Sequence, residues 1–208
     1  AQADLVVVIG SELAEVDLWR DDLGHSCDMV RVDIDQTVLD DRHGGAHKIL
    51  ADADDLLARL AEILPQSAPR WNAADIAHAR VGYRAAAEAD FPGVAPLCDA
   101  MQAALPADTM YYSDMTQFAY LAKSVCGMEV SGHWHHPFGF GTLGYALPAA
   151  IGGKIARPDA PTVAIAGDYG FQYTIQELGV AAEMNLTLPI ILWDNGKLKE
   201  IEDCMIRS

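Results

Sequence analysis

Residues 162–166, Thr-Val-Ala-Ile-Ala, form a short apolar run that stops on Gly167. A run apolar on both faces reads as a strand covered on both sides, the kind found in parallel sheets. A helical segment follows, and then a second apolar run, Leu188 to Trp193. Strand, helix and strand in this order predict a right-handed crossover in a parallel sheet. In such sheets ligands collect beyond the C-terminal strand ends. Two polar, turn-forming segments stand at those ends: Gly167-Asp168-Tyr169-Gly170 and Asp194-Asn195-Gly196-Lys197.

The rest of the chain extends the α/β pattern. Leu5 to Ile9 is an apolar run closed by Gly10, and Met29 to Asp35 alternates as a second strand. Asp52 to Leu64 reads as a helix with Leu56, Leu57, Leu60 and Leu64 on one face and an acidic first turn. Residues 1–64 therefore predict part of an α/β unit. Pro65 to Pro92 reads as a linker with an Ala-rich helix over 73–89. Residues 93–208 predict a second α/β region, with a helix over 94–105, a strand leaving at Ser113-Asp114, a Gly-rich stretch over 138–153 running into a helix, and a helix over 173–184. The chain opens almost directly on a strand and stops in a polar helical pattern, so a piece of a longer polypeptide is expected.

Charge and composition narrow the function classes. Lys and Arg number 14 against 30 Asp and Glu, a formal charge of −16. A basic footprint for nucleic acid is missing, and anionic lipid would be repelled. No apolar run reaches the roughly 18 to 20 residues that span a bilayer. Cys27, Cys98, Cys126 and Cys204 form no Cys-x-x-Cys pair, so reduced thiols and a cytoplasmic location are expected.

The chemistry rests on the two strand-end segments. Gly167 and Gly170 let backbone amides approach a phosphate, and the start of the following helix favours an anion. Asp168 offers a hard oxygen ligand and Asn195 a second from the neighbouring strand exit. Magnesium takes such oxygens together with phosphate oxygens. His133-Trp134-His135-His136 looks like a metal cluster, but its spacing favours structural roles. His136, nearest the Gly-rich stretch, is the candidate for proton transfer or substrate contact.

The pair of segments resembles the Gly-Asp-Gly and Asn-Asn motif of thiamine diphosphate enzymes, in the acetolactate synthase and 2-oxo-acid decarboxylase branch. Residues 141–152, GTLGYALPAAIG, resemble the same family's Gly-x-Met-Gly-x-Gly-Leu-Pro-Ala-Ala-Ile-Gly stretch, and Ser113 to Gln117 resembles its Asp-x-Gly-Gln segment. The resemblance implies the thiamine diphosphate-binding fold, preceded by part of a Rossmann-like central domain. It implies Mg²⁺ on Asp168, Asn195 and the Lys197 carbonyl, and cofactor contacts from Gln117, Gly141, Leu143, Gly167, Tyr169 and Gly170. Leu143 takes the place of the bulky residue that wedges between the cofactor's rings. The pattern departs at Tyr169 and Asp194, where the family motif has Gly and Asn.

The resemblance also implies a homodimer or homotetramer with sites between subunits, and an activating glutamate on another domain, so this chain alone is expected to be inactive. The activity implied is decarboxylation or carboligation of a 2-oxo acid. Glu200, Glu202 and Asp203 suggest an acidic cleft for a basic tail, as in 5-guanidino-2-oxopentanoate, or simply a solvated face. Residues 10–19 lack the stretch that accompanies flavin in acetolactate synthases, and Cys204 replaces their substrate-shaping tryptophan. An acetolactate synthase large subunit and a non-catalytic phosphate- or nucleotide-binding module remain the alternatives.

Overall fold

The computed structural model describes residues 3–14, 18, 23–65 and 72–207, without the side chains of Glu200, Cys204 and Arg207. The chain divides into two compact units at Arg70 and Trp71.

The first unit holds a parallel sheet of β1 (Leu5–Ile9), β2 (Asp28–Asp33) and β3 (His47–Leu50), in that order. The third strand was not expected: four residues, two of them polar, carry too little alternation to read. β2 ends two residues earlier than expected because Asp33 and Asp35 turn the chain. Oδ1 of Asp33 accepts from the Asp35 amide at 3.0 Å, and Asp35 caps α1 (Gln36–Leu39) by accepting from the Thr37 amide at 2.7 Å. Asp52 caps α2 (Ala53–Ile63) in the same way. Arg31 on β2 is 1% exposed and is held by Asp41 at 2.5 Å and by the Ser11 carbonyl at 3.2 Å.

The second unit begins with α3 (Ala73–Asp90), which packs on α4 (Val94–Ala104) and α5 (Gln117–Val125). Arg84 pairs with Asp99, and the Glu88 carboxylate accepts from the Ala95 amide at 3.0 Å, so the segment after Pro65 carries a helix built into this unit. A four-stranded parallel sheet has the order β5 (Trp134–His135), β4 (Met110–Ser113), β6 (Thr162–Gly167) and β7 (Ile190–Trp193). Side chains alternate across it. Val163, Ile165 and Tyr111 face Val94, Cys98, Phe118 and Leu121. Ala164, Met110 and Tyr112 face Ala150 of α6 (Ala146–Ala156) on the other side.

One helix differs from its expected form. The helix after β6 starts at Asp168 itself and breaks at Thr174, giving α7 (Asp168–Tyr173), a 3₁₀ turn at Ile175–Glu177, and α8 (Leu178–Glu183). The polar Gly-Asp-Tyr-Gly segment reads as a turn, yet the chain is already helical from Asp168. α9 (Lys199–Arg207) follows β7.

Candidate cofactor site

Strand register brings the two motifs together. Gly167 and Trp193 are partners across β6 and β7. Asp168 and Asp194 therefore follow side by side, with Asn195 one residue further out. Asp168 is half-buried at the first position of α7, and its carboxylate makes no hydrogen bond or ion pair with the described residues. The first-turn amides of α7, including those of Tyr169 and Gly170, have no intrahelical acceptor. Asn195 Oδ1 accepts from the Lys197 amide at 3.2 Å, which folds the 194–197 turn back on itself. Its Nδ2 donates to Gln117 Oε1 at 3.4 Å. Gln117 opens α5 behind the cap of Thr116, whose hydroxyl accepts from the Ala119 amide at 3.0 Å.

Among the described residues no three of His, Cys, Asp and Glu converge on a point where a metal could sit. A cation here would take one carboxylate, Asp168, with the Asn195 amide oxygen and backbone carbonyls. That donor set suits magnesium, which keeps phosphate and water oxygens for its remaining positions. The bare carboxylate and the open amides beside it fit a metal-diphosphate pair.

Gly141, Leu143 and Gly144 precede α6. Leu143 is half-buried between two glycines of positive φ, +59° at Gly141 and +84° at Gly144. The residue that sequence reading missed is Asp114, which leaves β4 fully buried. It accepts from the amides of Gly144, Tyr145 and Ala146 at 3.1, 2.7 and 2.9 Å. In the sequence it shows only as an acid at a strand exit, in the place of the Asp of the Asp-x-Gly-Gln segment that 113–117 resembles; its partners lie thirty residues on, where no local cap motif points back. Burial pushes the Asp114 carboxyl above its ordinary value, against the pull of the three amides.

His136 stands at the end of β5, 8% exposed, with Nδ1 2.8 Å from the Ser113 hydroxyl. Nε2 is buried without a partner among the described residues. The rings of Tyr120 and Phe138 meet the imidazole edge-on at 6.2 and 4.8 Å. Burial, and then the charge of Lys123, lower its pKa to about 4, so it is neutral near pH 7. Tyr120 lies one turn after Gln117 on α5, so the same helix serves the Asn195 and His136 ends of the site. Of the other histidines of the run, His133 Nδ1 lies 3.1 Å from the Ser131 carbonyl, and His135 stacks on Tyr112 at 4.5 Å, its Nε2 likewise buried without a partner among the described residues.

The acidic helix α9 is less available than its sequence suggests. Glu202 pairs with Lys197 at 2.7 Å, and Asp203 pairs with Lys199. The side chains of Glu200 and Cys204 lie outside the described residues, as do residues 15–17 and 19 of the stretch compared with the flavin segment.

Residues 114–204 match the model of the thiamine pyrophosphate enzyme C-terminal TPP binding domain. These residues belong to the thiamine pyrophosphate enzyme C-terminal domain family. The match begins at Asp114 and takes in both strand-end motifs. The probable 2-ketoarginine decarboxylase AruI of Pseudomonas aeruginosa is 41% identical over 99% of this chain and 37% of its own length. The acetolactate synthase large subunit of Corynebacterium glutamicum is 30% identical over 95% of this chain and 33% of its own. The chain thus spans about a third of the length of those relatives. Its fold is that of the thiamine diphosphate-dependent 4-hydroxybenzoylformate decarboxylase of Rhodococcus jostii RHA1, with a TM-score of 0.69, 22% identity, and coverage of 99% of this chain and 39% of that one. Among the described residues no helix is long and apolar enough to cross a membrane.

Proposed function

We propose that this chain is the cofactor-binding part of a thiamine diphosphate- and Mg²⁺-dependent enzyme that decarboxylates a 2-oxo acid with a basic tail, such as 5-guanidino-2-oxopentanoate. The observation that carries the reading is the Asp168 carboxylate, unpartnered among the described residues and set beside Asn195 by the β6–β7 register, within a thiamine pyrophosphate-binding domain. Asp168, the Asn195 side chain and the Lys197 carbonyl would hold Mg²⁺. The amides of Tyr169 and Gly170 would meet the diphosphate, Gly167 would give it room, and Gln117 would brace Asn195. The Gly141 carbonyl would accept from the pyrimidine amino group, with Leu143 against both rings.

Bound thiamine diphosphate supplies the carbon nucleophile and the electron sink for CO₂ loss. The protein's part is to hold, orient and dry the reactants. His136 fits a proton-transfer or substrate-contact role because it is neutral and has one ring nitrogen unused. With the Ser113 hydroxyl donating to the His135 carbonyl and Nδ1–H donating to Ser113, Nε2 can accept a hydrogen bond without burying a charge.

The basic tail is supported by the name of the Pseudomonas relative, a probable 2-ketoarginine decarboxylase. The reading includes a homodimer or homotetramer with sites between subunits and a cytoplasmic location. Light scattering on purified protein and cell fractionation check these two points.

The deciding experiment supplies thiamine diphosphate and Mg²⁺ to the full-length protein and compares CO₂ release from 5-guanidino-2-oxopentanoate and pyruvate. A preference for the guanidino acid is expected, and a preference for pyruvate overturns the basic tail. Acetolactate formed from pyruvate would establish the alternative that the Corynebacterium relative favours.

A further inference from the structure

Asp114 is 1% exposed, and the groups that meet its carboxylate belong to two separate cofactor segments. On one side are the amides that open α6. Oδ1 accepts from Tyr145 and Ala146, and Oδ2 accepts from Gly144. Tyr145, at the cap position, offers no side-chain hydrogen bond of its own. A helix start needs acceptors for its free amides, and a negative charge there is favoured by the helix dipole. Asp114 meets both needs from another strand.

On the other side is Gly170. A Cβ placed on Gly170 would lie 2.4 Å from Asp114 Oδ2 and 3.4 Å from the Gly144 nitrogen. A Cβ on Gly144 would meet Thr174 and Tyr173 at 3.1 and 3.2 Å and the Gly170 carbonyl at 3.4 Å. The two glycine segments are therefore stacked on one carboxylate. The close approach that makes position 170 a glycine is filled by a protein group, whatever the diphosphate also requires. Thr116, two residues after Asp114, lies 3.2 Å from the Cβ that Gly167 lacks.

We propose that Asp114 is a positioning residue of the cofactor site, whose carboxylate fixes Leu143 and the start of α6 against the Gly167–Gly170 turn. It touches neither metal nor substrate in this scheme and acts through the segments it ties together. The proposal rests on the thiamine diphosphate reading. If Asp114 sets the distance between wedge and diphosphate turn, a change there alters the geometry of the bound cofactor as well as its affinity. A residue that only stabilised the fold would leave the saturated complex unchanged.

Asp114→Asn separates the two roles, because it keeps the shape but presents an NH₂ group to one of the amide donors. In the full-length protein with Mg²⁺, calorimetry is expected to show thiamine diphosphate bound about ten-fold or more weakly, as for loss of a hydrogen bond to a charged group. At saturating cofactor the near-ultraviolet circular dichroism of the bound thiamine diphosphate is expected to differ from wild type. Wild-type affinity, or a wild-type spectrum at saturation, overturns the proposal. Wild-type protein that fails to bind thiamine diphosphate overturns the underlying reading instead, and this proposal with it. Should Asp114→Asn fail to fold, Gly170→Ala reads the contact from the other side: its methyl displaces Oδ2, so an altered spectrum at saturation is again required, and an unaltered one overturns the proposal.

Discussion

The side-chain amide of Asn195 donates to Gln117 Oε1 across 3.4 Å, joining the end of β7 to the start of α5. The contact leaves Asn195 Oδ1 to the Lys197 amide and the metal side. Gln117→Ala is therefore expected to weaken Mg²⁺-dependent cofactor binding several-fold by freeing the Asn195 rotamer, while Asn195→Ala removes a ligand and weakens it more. Titration of thiamine diphosphate at several Mg²⁺ concentrations checks both. Equal, Mg²⁺-independent losses in the two variants would contradict the assignment.

His136 predicts a pH dependence of stability. Its pKa in the folded protein is about 4, while in the unfolded chain a histidine titrates near 6.5. The unfolded state thus binds more protons between these values, and stability falls as pH drops from about 6.5 to 4, levelling off below. The full contribution is on the order of 3 kcal/mol. Urea midpoints at pH 7 and pH 4.5 should converge in His136→Phe relative to wild type. The same pH slope in both proteins would contradict the buried neutral imidazole.

The pairing of Glu202 and the substrate role proposed for Glu200 predict unequal effects of these two acids. Glu202 is already paired with Lys197 at 2.7 Å. Glu202→Gln should change KM for 5-guanidino-2-oxopentanoate little, whereas Glu200→Gln should raise it several-fold with little change for an uncharged 2-oxo acid. Steady-state kinetics on both substrates checks this. A larger effect from Glu202 than from Glu200 would contradict it.

In the first unit, Arg31 is buried with Asp41 and the Ser11 carbonyl as its partners. Removing one member of a buried pair strands the other charge, so Asp41→Ala should cost about 3 kcal/mol. Arg31→Met, which removes the charge and keeps bulk, should cost less. Denaturant unfolding of both variants measures the difference.

What could be read in the sequence was local. The apolar run ending at Gly167, and the Asp-Asn-Gly turn after Trp193, announce strand exits in a few consecutive residues. Their adjacency follows from parallel order alone. The α3 helix was legible for the same reason, through its Ala-rich stretch. What escaped was long-range or short. β3 is four residues with two polar ones, and α5 begins inside a segment that resembles a cofactor motif, which masked its Thr116 cap. The role of Asp114 depends on amides thirty residues away, and no periodicity encodes that. The helix break at Thr174 follows close packing of Gly144 on Tyr173 and Thr174, a tertiary contact.

Calorimetric titration of thiamine diphosphate into wild-type protein and Asp168→Ala, each with and without Mg²⁺, tests the cofactor site most directly. Binding by wild type that needs Mg²⁺ and is lost in Asp168→Ala is the expected result. Binding that ignores Mg²⁺ and survives Asp168→Ala, or binding of ATP or NAD in place of thiamine diphosphate, would contradict it.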